Sequence, residues 1–222
     1  MAYKLYILNP NSSAATTSAM QRGAANVLEK LDVDVVFDEL QDGPPGIETQ
    51  AHVEAVAFPV LSRFQSVEAD AYVIGCFSDP GLALCRSELS RPVFGIAEAA
   101  YLEASTLGSK FGVISIVGAS IPRHLRQIRI LGLQGSLAGD RSLDLGVKGL
   151  EDPEIALPRI IEIGKQLRDV DGASVLVLGC ASMGVYRPRI EAALGIPVVD
   201  PVQAAIVRAH NALILNYPKA TQ

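Results

Sequence analysis

The sequence has 222 residues, of which 49% are hydrophobic and 19% are charged, and its formal net charge is -5. This length and apolar content suffice for a packed core, and the mild acidity argues against nucleic acid, which selects a clustered basic face. No run of about 18 uncharged apolar residues is present, so we expect no membrane span. The apolar start of the chain is too short for a signal peptide. We therefore predict a cytoplasmic protein whose three cysteines are thiols.

Short segments rich in Val and Ile alternate with helical segments along the chain. The predicted strands are Lys4–Leu8, Val33–Phe37, Ala71–Gly75, Val93–Ile96, Phe111–Ile116, Val175–Gly179 and Val198–Val199. The helical segments between them include Ser13–Lys30, Ile47–Gln65, Ile155–Val170 and Arg189–Leu194. Strands with so little polar alternation are typical of a parallel sheet covered on both faces. The sequence therefore predicts a doubly wound α/β fold.

The chain also repeats itself at an offset of 104 to 106 residues. Lys4 corresponds to Lys110, Gly75-Cys76 to Gly179-Cys180, and Ala99-Ala100 to Ala204-Ala205. The general likeness of any two α/β halves explains repeated strands, but not Gly-Cys at the same place in both. We predict two similar halves related by a pseudo-twofold axis, with the active site in the cleft between them. The first half is assigned to 1–98 plus 204–222 and the second to 99–203.

The two repeated cysteines, Cys76 and Cys180, each follow a predicted strand directly. Ligands bind beyond the carboxyl ends of parallel strands, so we expect these thiols to face each other across the cleft. One acid/base group on each face is a direct way to remove a proton next to a carbonyl and return it from the opposite side. Nearby backbone N–H groups are expected to lower the thiol pKa values or to hold an enolate oxygen. Packing as small core residues is the alternative for each cysteine.

Candidate substrate-binding residues follow the same strand ends. They are Asn11, Ser12, Phe77, Ser78, Asp79, Gly118, Ser120, Ala181 and Ser182. For the Asn11–Ser13 segment an ordinary helix N-cap is an alternative role. Ser78 or Asp79 is also predicted to cap a helix that starts at Pro80.

Other reactive or charged side chains are assigned to structure rather than to the site. Cys85 has no partner in the other half and is interpreted as a packing residue. Arg123, Arg126 and Arg129 are spaced as a helix stripe and are predicted to form a solvated face. His124 is predicted to lie at the surface, with a place in the cleft as the alternative.

These motifs resemble the aspartate/glutamate/hydantoin racemase superfamily, and within it the hydantoin racemase branch, which includes allantoin racemases. The matching segments are Asn9–Ser12, Gly75–Phe77 with Asp79–Gly81, Gly95-Ile96 with Glu98–Ala100, Leu131–Val147, Gly179–Ala181 with Met183, and Asp200–Val202. The resemblance implies two flavodoxin-like half-domains and chemistry without a metal or pyridoxal phosphate. It implies that Cys76 and Cys180 are the acid/base pair, and that the protein forms a homo-oligomer.

The residues after each cysteine bear on the substrate. Amino-acid racemases of this superfamily tend to have Asn-Thr there, whereas this chain has Phe77-Ser78 and Ala181-Ser182. We therefore predict a cofactor-independent racemase of a 5-substituted hydantoin or a related cyclic ureide such as allantoin. The alternatives are an aspartate/glutamate-type amino-acid racemase or small dicarboxylate isomerase, and a non-catalytic protein that binds a small ligand. Relatives in the hydantoin branch often have Gly where Ser78 and Ser182 stand, and this symmetric departure bears on substrate identity.

Overall fold

Two four-stranded parallel sheets form the frame of the protein, whose computed structural model describes residues 2–217. The first sheet contains β1 (Tyr3–Asn9), β2 (Val33–Glu39), β3 (Ala71–Ile74) and β4 (Val93–Gly95). The second contains β5 (Phe111–Ser115), β6 (Leu137–Ser142), β7 (Val175–Gly179) and β8 (Val198–Val199). Their strand orders, β2-β1-β3-β4 and β6-β5-β7-β8, are the same arrangement used twice. The order is that of a flavodoxin-like sheet.

Helices connect the strands and cover the sheets. They are α1 (Ala14–Leu28), α2 (Gln50–Ala55), α3 (Ala57–Gln65), α4 (Leu82–Glu88), α5 (Ile96–Leu107), α6 (Ile121–Ile130), α7 (Pro153–Asp169), α8 (Arg187–Leu194) and α9 (Pro201–Leu215). Short 3₁₀ turns include Gly118–Ser120, which precedes α6, and Ala181–Tyr186, which follows Cys180. None of the helices in residues 2–217 has the length and apolar character of a membrane span.

The two halves exchange the helices that follow their last strands. Helix α9 follows the second sheet but packs against β1, β3 and β4 of the first, while α5 follows the first sheet and packs against β7 and β8. These two helices also pack against each other, and their small buried side chains belong to one apolar core shared by both sheets. Separate apolar clusters cover the outer face of each sheet. The carboxyl ends of the central strands, β1 and β3 in one sheet and β5 and β7 in the other, therefore rest on one shared apolar core.

The predicted α/β fold with parallel sheets is confirmed, but one predicted helix is divided in two and one strand is not among those predicted. The predicted helix Ile47–Gln65 is two helices, α2 and α3, because Pro59 in the first turn of α3 has no N–H and its ring crowds the preceding turn. Strand β6 was not predicted, because its residues LAGDRS are half-exposed at a sheet edge and carry no apolar pattern.

The predicted boundaries of the halves stay a prediction. They fall inside α5 and α9, the helices that the two halves exchange. Met1 and residues 218–222, which were assigned to the first half, lie outside the described residues.

Candidate active site

Cys76 and Cys180 lie at equivalent strand ends and line one cavity. Cys76 follows Gly75 at the end of β3, and Cys180 follows Gly179, the last residue of β7. The cavity has a volume of about 440 Å³, counted out to the solvent. Negative charge on Cys180 raises the pKa of Cys76. The alternative interpretation, that these cysteines only fill the core, does not account for both side chains bordering the same cavity.

The cavity has an apolar wall interrupted by a few polar groups. Of the predicted site residues, those that line it together with the two cysteines are Asn11, Phe77, Ser78, Ser120 and Ala181. Sequence reasoning did not assign the other side chains that line it, which are Thr16, Ile47, Ile116, Arg123, His124 and Val147. Thr16 lies in the first turn of α1, and its closeness in sequence to the Asn11 loop is the signal that could have found it. Ile47 and Val147 lie in loops far away in sequence, and no local pattern marks them.

Burial controls the protonation of both thiols. It raises the pKa of Cys76 to about 12 and also raises the pKa of Cys180. Hydrogen bonds from the backbone amides of Ser78 to Cys76, and of Ala181 and Ser182 to Cys180, act in the opposite direction but are outweighed. The backbone amides of the following loops therefore act on the thiol pKa values in the predicted direction, but burial has the larger effect. Both cysteines are neutral thiols near pH 7, and the amides stand ready to stabilise either one as a thiolate.

Arg123 places a buried positive charge at the cavity, and its predicted position on a solvated helix face is wrong. Its side chain is 8% exposed, although Arg126 and Arg129 on the same helix are exposed as predicted. Its guanidinium donates to two carbonyl oxygens, of Ala119 at 3.0 Å and of Glu48 at 3.1 Å. Its Nε is buried without a hydrogen-bond partner, and no carboxylate within residues 2–217 forms an ion pair with it.

His124 is also in the cavity rather than at the surface, which confirms the less favoured of the two predictions for it. Its Nδ1 lies 2.8 Å from Oδ2 of Asp140 and 3.1 Å from Oγ of Ser115, and Ser115 donates to the other oxygen of Asp140. Both partners lie on neighbouring strands, β6 and β5, which fix the orientation of the imidazole ring. The ring of Phe77 meets it edge-on, with centroids 5.1 Å apart. Because Nδ1 is occupied, Nε2 is the nitrogen left for a ligand.

Four predicted site residues do not line this cavity. Gly118 is exposed, and Ser12 is half-exposed with its N–H donated to the carbonyl of Pro44. Ser182 is buried 3.4 Å from Sγ of Cys180 and borders a neighbouring depression beside α1. Asp79 is buried behind the Cys76 loop.

The predicted helix cap at Ser78 or Asp79 is wrong. Helix α4 begins two residues after Pro80, at Leu82, and its N-cap is Gly81 with φ 75°. The carboxylate of Asp79 instead accepts hydrogen bonds from the backbone of Ala97 and Glu98, at the start of α5. The N-cap of α1 is Ser13, whose hydroxyl accepts from the N–H of Thr16. That leaves Asn11 in the turn before the helix, bonded to Asn9 and to the N–H of Ser13.

Cys85 is fully buried in α4 and packs in the outer core of the first half, as predicted.

Residues 2–217 contain no group of three or more His, Cys, Asp or Glu side chains arranged to hold a metal ion. The titratable groups at the cavity are thus two thiols, one guanidinium and one imidazole. A cation and two proton-transfer groups are the elements needed to move a proton on carbon next to a carbonyl.

Comparison with known proteins agrees with this chemistry. The profile of the Asp/Glu/Hydantoin racemase family matches residues 5–209, nearly the whole chain. The chain belongs to the Asp/Glu/hydantoin racemase family. The predicted superfamily and the predicted racemase are confirmed.

Individual members of the family match over almost their entire length. The hydantoin racemase of Rhizobium meliloti is 37% identical over 221 residues, which cover 96% of this chain and 90% of that protein. The hydantoin racemase of Paenarthrobacter aurescens is 33% identical over 220 residues, with 96% and 92% covered. The structure of allantoin racemase from Klebsiella pneumoniae superimposes with a TM-score of 0.93 at 26% identity, covering 98% of this chain and 90% of that one.

Proposed function

We propose that the protein racemises a 5-substituted hydantoin or a related cyclic ureide by a two-thiol, cofactor-independent mechanism. The observation that carries this proposal is the pair of thiols at equivalent strand ends in one cavity. The named activities of the hydantoin and allantoin racemases that it resembles support the choice of substrate class.

In the proposed reaction, one cysteine is a thiolate and the other a thiol. The thiolate takes the proton from the ring carbon that carries the substituent, and the electron pair of that C–H bond moves to the adjacent carbonyl oxygen as an enolate. The thiol then gives its proton to the opposite face of the same carbon. The enzyme is left with the two protonation states exchanged, which is the form that accepts the opposite enantiomer.

Arg123 and the backbone amides are suited to the charge that develops on the enolate oxygen. A buried cation without a carboxylate partner keeps its full attraction for an anion, because little solvent screens it. The same cation favours the thiolate form of Cys76, whose pKa it lowers. We assign Arg123 to the enolate, and the imidazole of His124, held by Asp140, to the ring N–H or carbonyl that lies beside it.

The apolar residues that face the cavity fit a neutral ring better than a free amino acid. Ile47, Ile116 and Val147 offer no hydrogen bonds, while Asn11, Thr16 and Ser120 supply the neutral polar groups. Arg123 is a single cation in one half, not a repeated pair that would hold an α-carboxylate from either side. Assembly as a homo-oligomer, a cytoplasmic location and catalysis without a metal stay predictions.

Proton exchange in D2O tests the proposal directly. The protein is mixed with one enantiomer of a 5-substituted hydantoin, and separately with allantoin, aspartate and glutamate. NMR follows loss of the signal of the proton on the stereogenic carbon, polarimetry follows loss of rotation, and an enzyme-free sample sets the baseline. We expect exchange together with loss of rotation for a ureide.

Two outcomes contradict the proposal in different ways. Exchange with aspartate or glutamate alone would identify an amino-acid racemase. Binding of a ureide, seen by calorimetry, without any exchange would identify a protein that only binds the ligand. Cys76→Ser and Cys180→Ser should both lose racemisation. Cys85→Ser is their matched control, because Cys85 is buried in α4 and does not border the cavity.

A further inference from the structure

Behind each cysteine loop lies one buried aspartate that caps a helix. In the first half, Asp79 is 7% exposed and its two oxygens accept the N–H groups of Ala97 at 2.9 Å and Glu98 at 2.8 Å. These are the second and third residues of α5. The N-cap residue of that helix is Gly95, which has no side chain to offer. Asp79 therefore reaches across from the Cys76 loop to make the contacts that an N-cap side chain would make.

In the second half, the equivalent carboxylate comes from the helix itself. Asp200 is 2% exposed and is the N-cap of α9. It accepts the N–H groups of Val202 at 2.7 Å and Gln203 at 3.1 Å, again the second and third residues of the helix. The carboxylate lies against Gly184 in the Cys180 loop, where a Cβ would overlap it. A Cβ at Gly95 would likewise overlap the carboxylate of Asp79.

The two halves thus use the same pair of residue types with their places exchanged. Gly95 and Asp200 are separated by 105 residues, and so are Asp79 and Gly184. The cysteine loop carries Asp and the helix carries Gly in one half, whereas the loop carries Gly and the helix carries Asp in the other. Each half has room for one carboxylate between loop and helix, and each contains one.

We propose that these two carboxylates position the catalytic thiols, and that within each half the carboxylate can be carried by either side of the loop–helix contact. Asp79 and Asp200 are positioning residues, because neither borders the cavity. This inference rests on the proposed function, in which Cys76 and Cys180 are the acid and base.

Physical chemistry favours one carboxylate at each place. Without it, two N–H groups at a buried helix start lose their acceptor, and in the first half the Cys76 loop also loses the hydrogen bonds that attach it to α5. With two, the side chains overlap and two like charges share one buried site. In the first half, Asp79 has a φ of 43°, a backbone conformation that glycine adopts without strain. Replacing Asp79 by Gly is thus compatible with the loop, provided that Gly95 becomes the aspartate.

A reciprocal exchange of residues tests the inference. The variants are Asp79→Gly, Gly95→Asp and the double variant, each measured for kcat, KM and thermal unfolding. We expect each single change to lower kcat by about tenfold to a hundredfold, since a displaced catalytic group costs rate more than binding. We expect the double variant to regain kcat to within about threefold of the unmodified protein, because the effects of contacting residues are not additive.

A second readout separates positioning from general loss of structure. Alkylation of Cys76 and Cys180 by a neutral reagent is followed by peptide mass spectrometry, with buried Cys85 as the internal reference. In Asp79→Gly the rate at Cys76 should change while the rate at Cys180 stays, and the double variant should restore it. Loss of structure alone would alter all three cysteines together. This readout does not use a substrate, so it still decides the positioning question if the unmodified protein racemises nothing and the proposed function fails.

Four results would overturn the inference. The first is a kcat of the single variants equal to that of the unmodified protein. The second is a double variant that folds but has no higher kcat than the better single variant, and the third is a double variant that does not fold. The fourth is an equal change of the alkylation rate at all three cysteines. If the single variants do not fold, rescue of folding and kcat in the double variant is the supporting result. The converse exchange, Gly184→Asp with Asp200→Gly, repeats the test in the other half and is expected to behave in the same way.

Discussion

The two walls of the active-site cleft have the same strand order but different polar groups. The turn after β1 and the helix that follows it supply Asn11 and Thr16, which are neutral. The equivalent segment after β5 supplies Ser120, Arg123 and His124, and so carries the positive charge at the cavity. The thiols, in contrast, come from equivalent places on both walls.

The difference separates two tasks that the site has to perform. Proton transfer to either face of one carbon needs two similar groups in symmetric places, which a repeated half supplies. A ring that carries a carbonyl on only one side of that carbon is not symmetric, so the groups that recognise it need not be repeated. The symmetric residues are therefore expected to decide the reaction, and the unrepeated ones to decide how the substrate is held and how its charge is stabilised.

The largest effects are expected from breaking the symmetric pair. Cys76→Ser and Cys180→Ser should each lower racemisation by about a thousandfold or more, because one of the two proton-transfer groups is lost. Each variant should still exchange the proton of one enantiomer without inversion, and the favoured enantiomer should differ between the two variants. NMR in D2O with separated enantiomers measures this. Exchange of the same enantiomer by both variants would mean that the thiols do not act on opposite faces.

The next largest effect is expected from the charged group that only one wall carries. Arg123→Gln should lower kcat/KM by about a hundredfold or more, since it removes the cation assigned to the enolate oxygen. Arg129→Gln is the matched control, because Arg129 is exposed on the same helix and does not line the cavity. Steady-state polarimetry compares the two. Equal rates in both variants would remove Arg123 from the mechanism.

The pH dependence should reflect the raised pKa values of the two thiols. Burial raises the pKa of Cys76 to about 12 and also raises that of Cys180, so the base form of the free enzyme is scarce at pH 7 and grows as the pH rises. We expect kcat/KM to increase by about tenfold per pH unit from pH 7 to 9, without a plateau below the ordinary thiol pKa. Rates corrected for enzyme-free exchange test this. A plateau near pH 7 would show that the thiolate is already formed.

The smallest effect on the rate is expected at His124, where stability is the sharper readout. His124→Leu removes the imidazole from the carboxylate of Asp140, whose side chain is 1% exposed, and leaves Ser115 as its remaining donor. We expect the free energy of unfolding to fall by about 3 kcal/mol, and kcat/KM by about tenfold or less. Urea unfolding measures the first. Glu162→Gln breaks an exposed ion pair with Arg159 and should cost less than about 1 kcal/mol. Similar losses in both variants would contradict the buried role of His124.

The sequence by itself determined the parts that depend on short-range pattern and repetition. Apolar strands without polar alternation identified parallel sheets, and Gly-Cys at one offset in both halves identified the two thiols. Such features are local, because a buried strand needs apolar residues along its whole length and a repeated fold needs the same residue types at the same places. Strand β6 lies half-exposed at a sheet edge, so it does not need apolar residues along its length, and the sequence pattern does not predict it.

Only the tertiary structure decided which polar groups reach the cleft and how the thiols are protonated. Arg123 and His124 resemble surface residues in sequence, but the packing of α6 beside β6 turns them inward. There His124 contacts Asp140, and the guanidinium of Arg123 donates to two backbone carbonyls. Burial, which no residue pattern measures, raises the thiol pKa values by more than the neighbouring amides lower them. The exchanged Asp and Gly residues are visible in the sequence, but their shared role appears only where loop and helix meet.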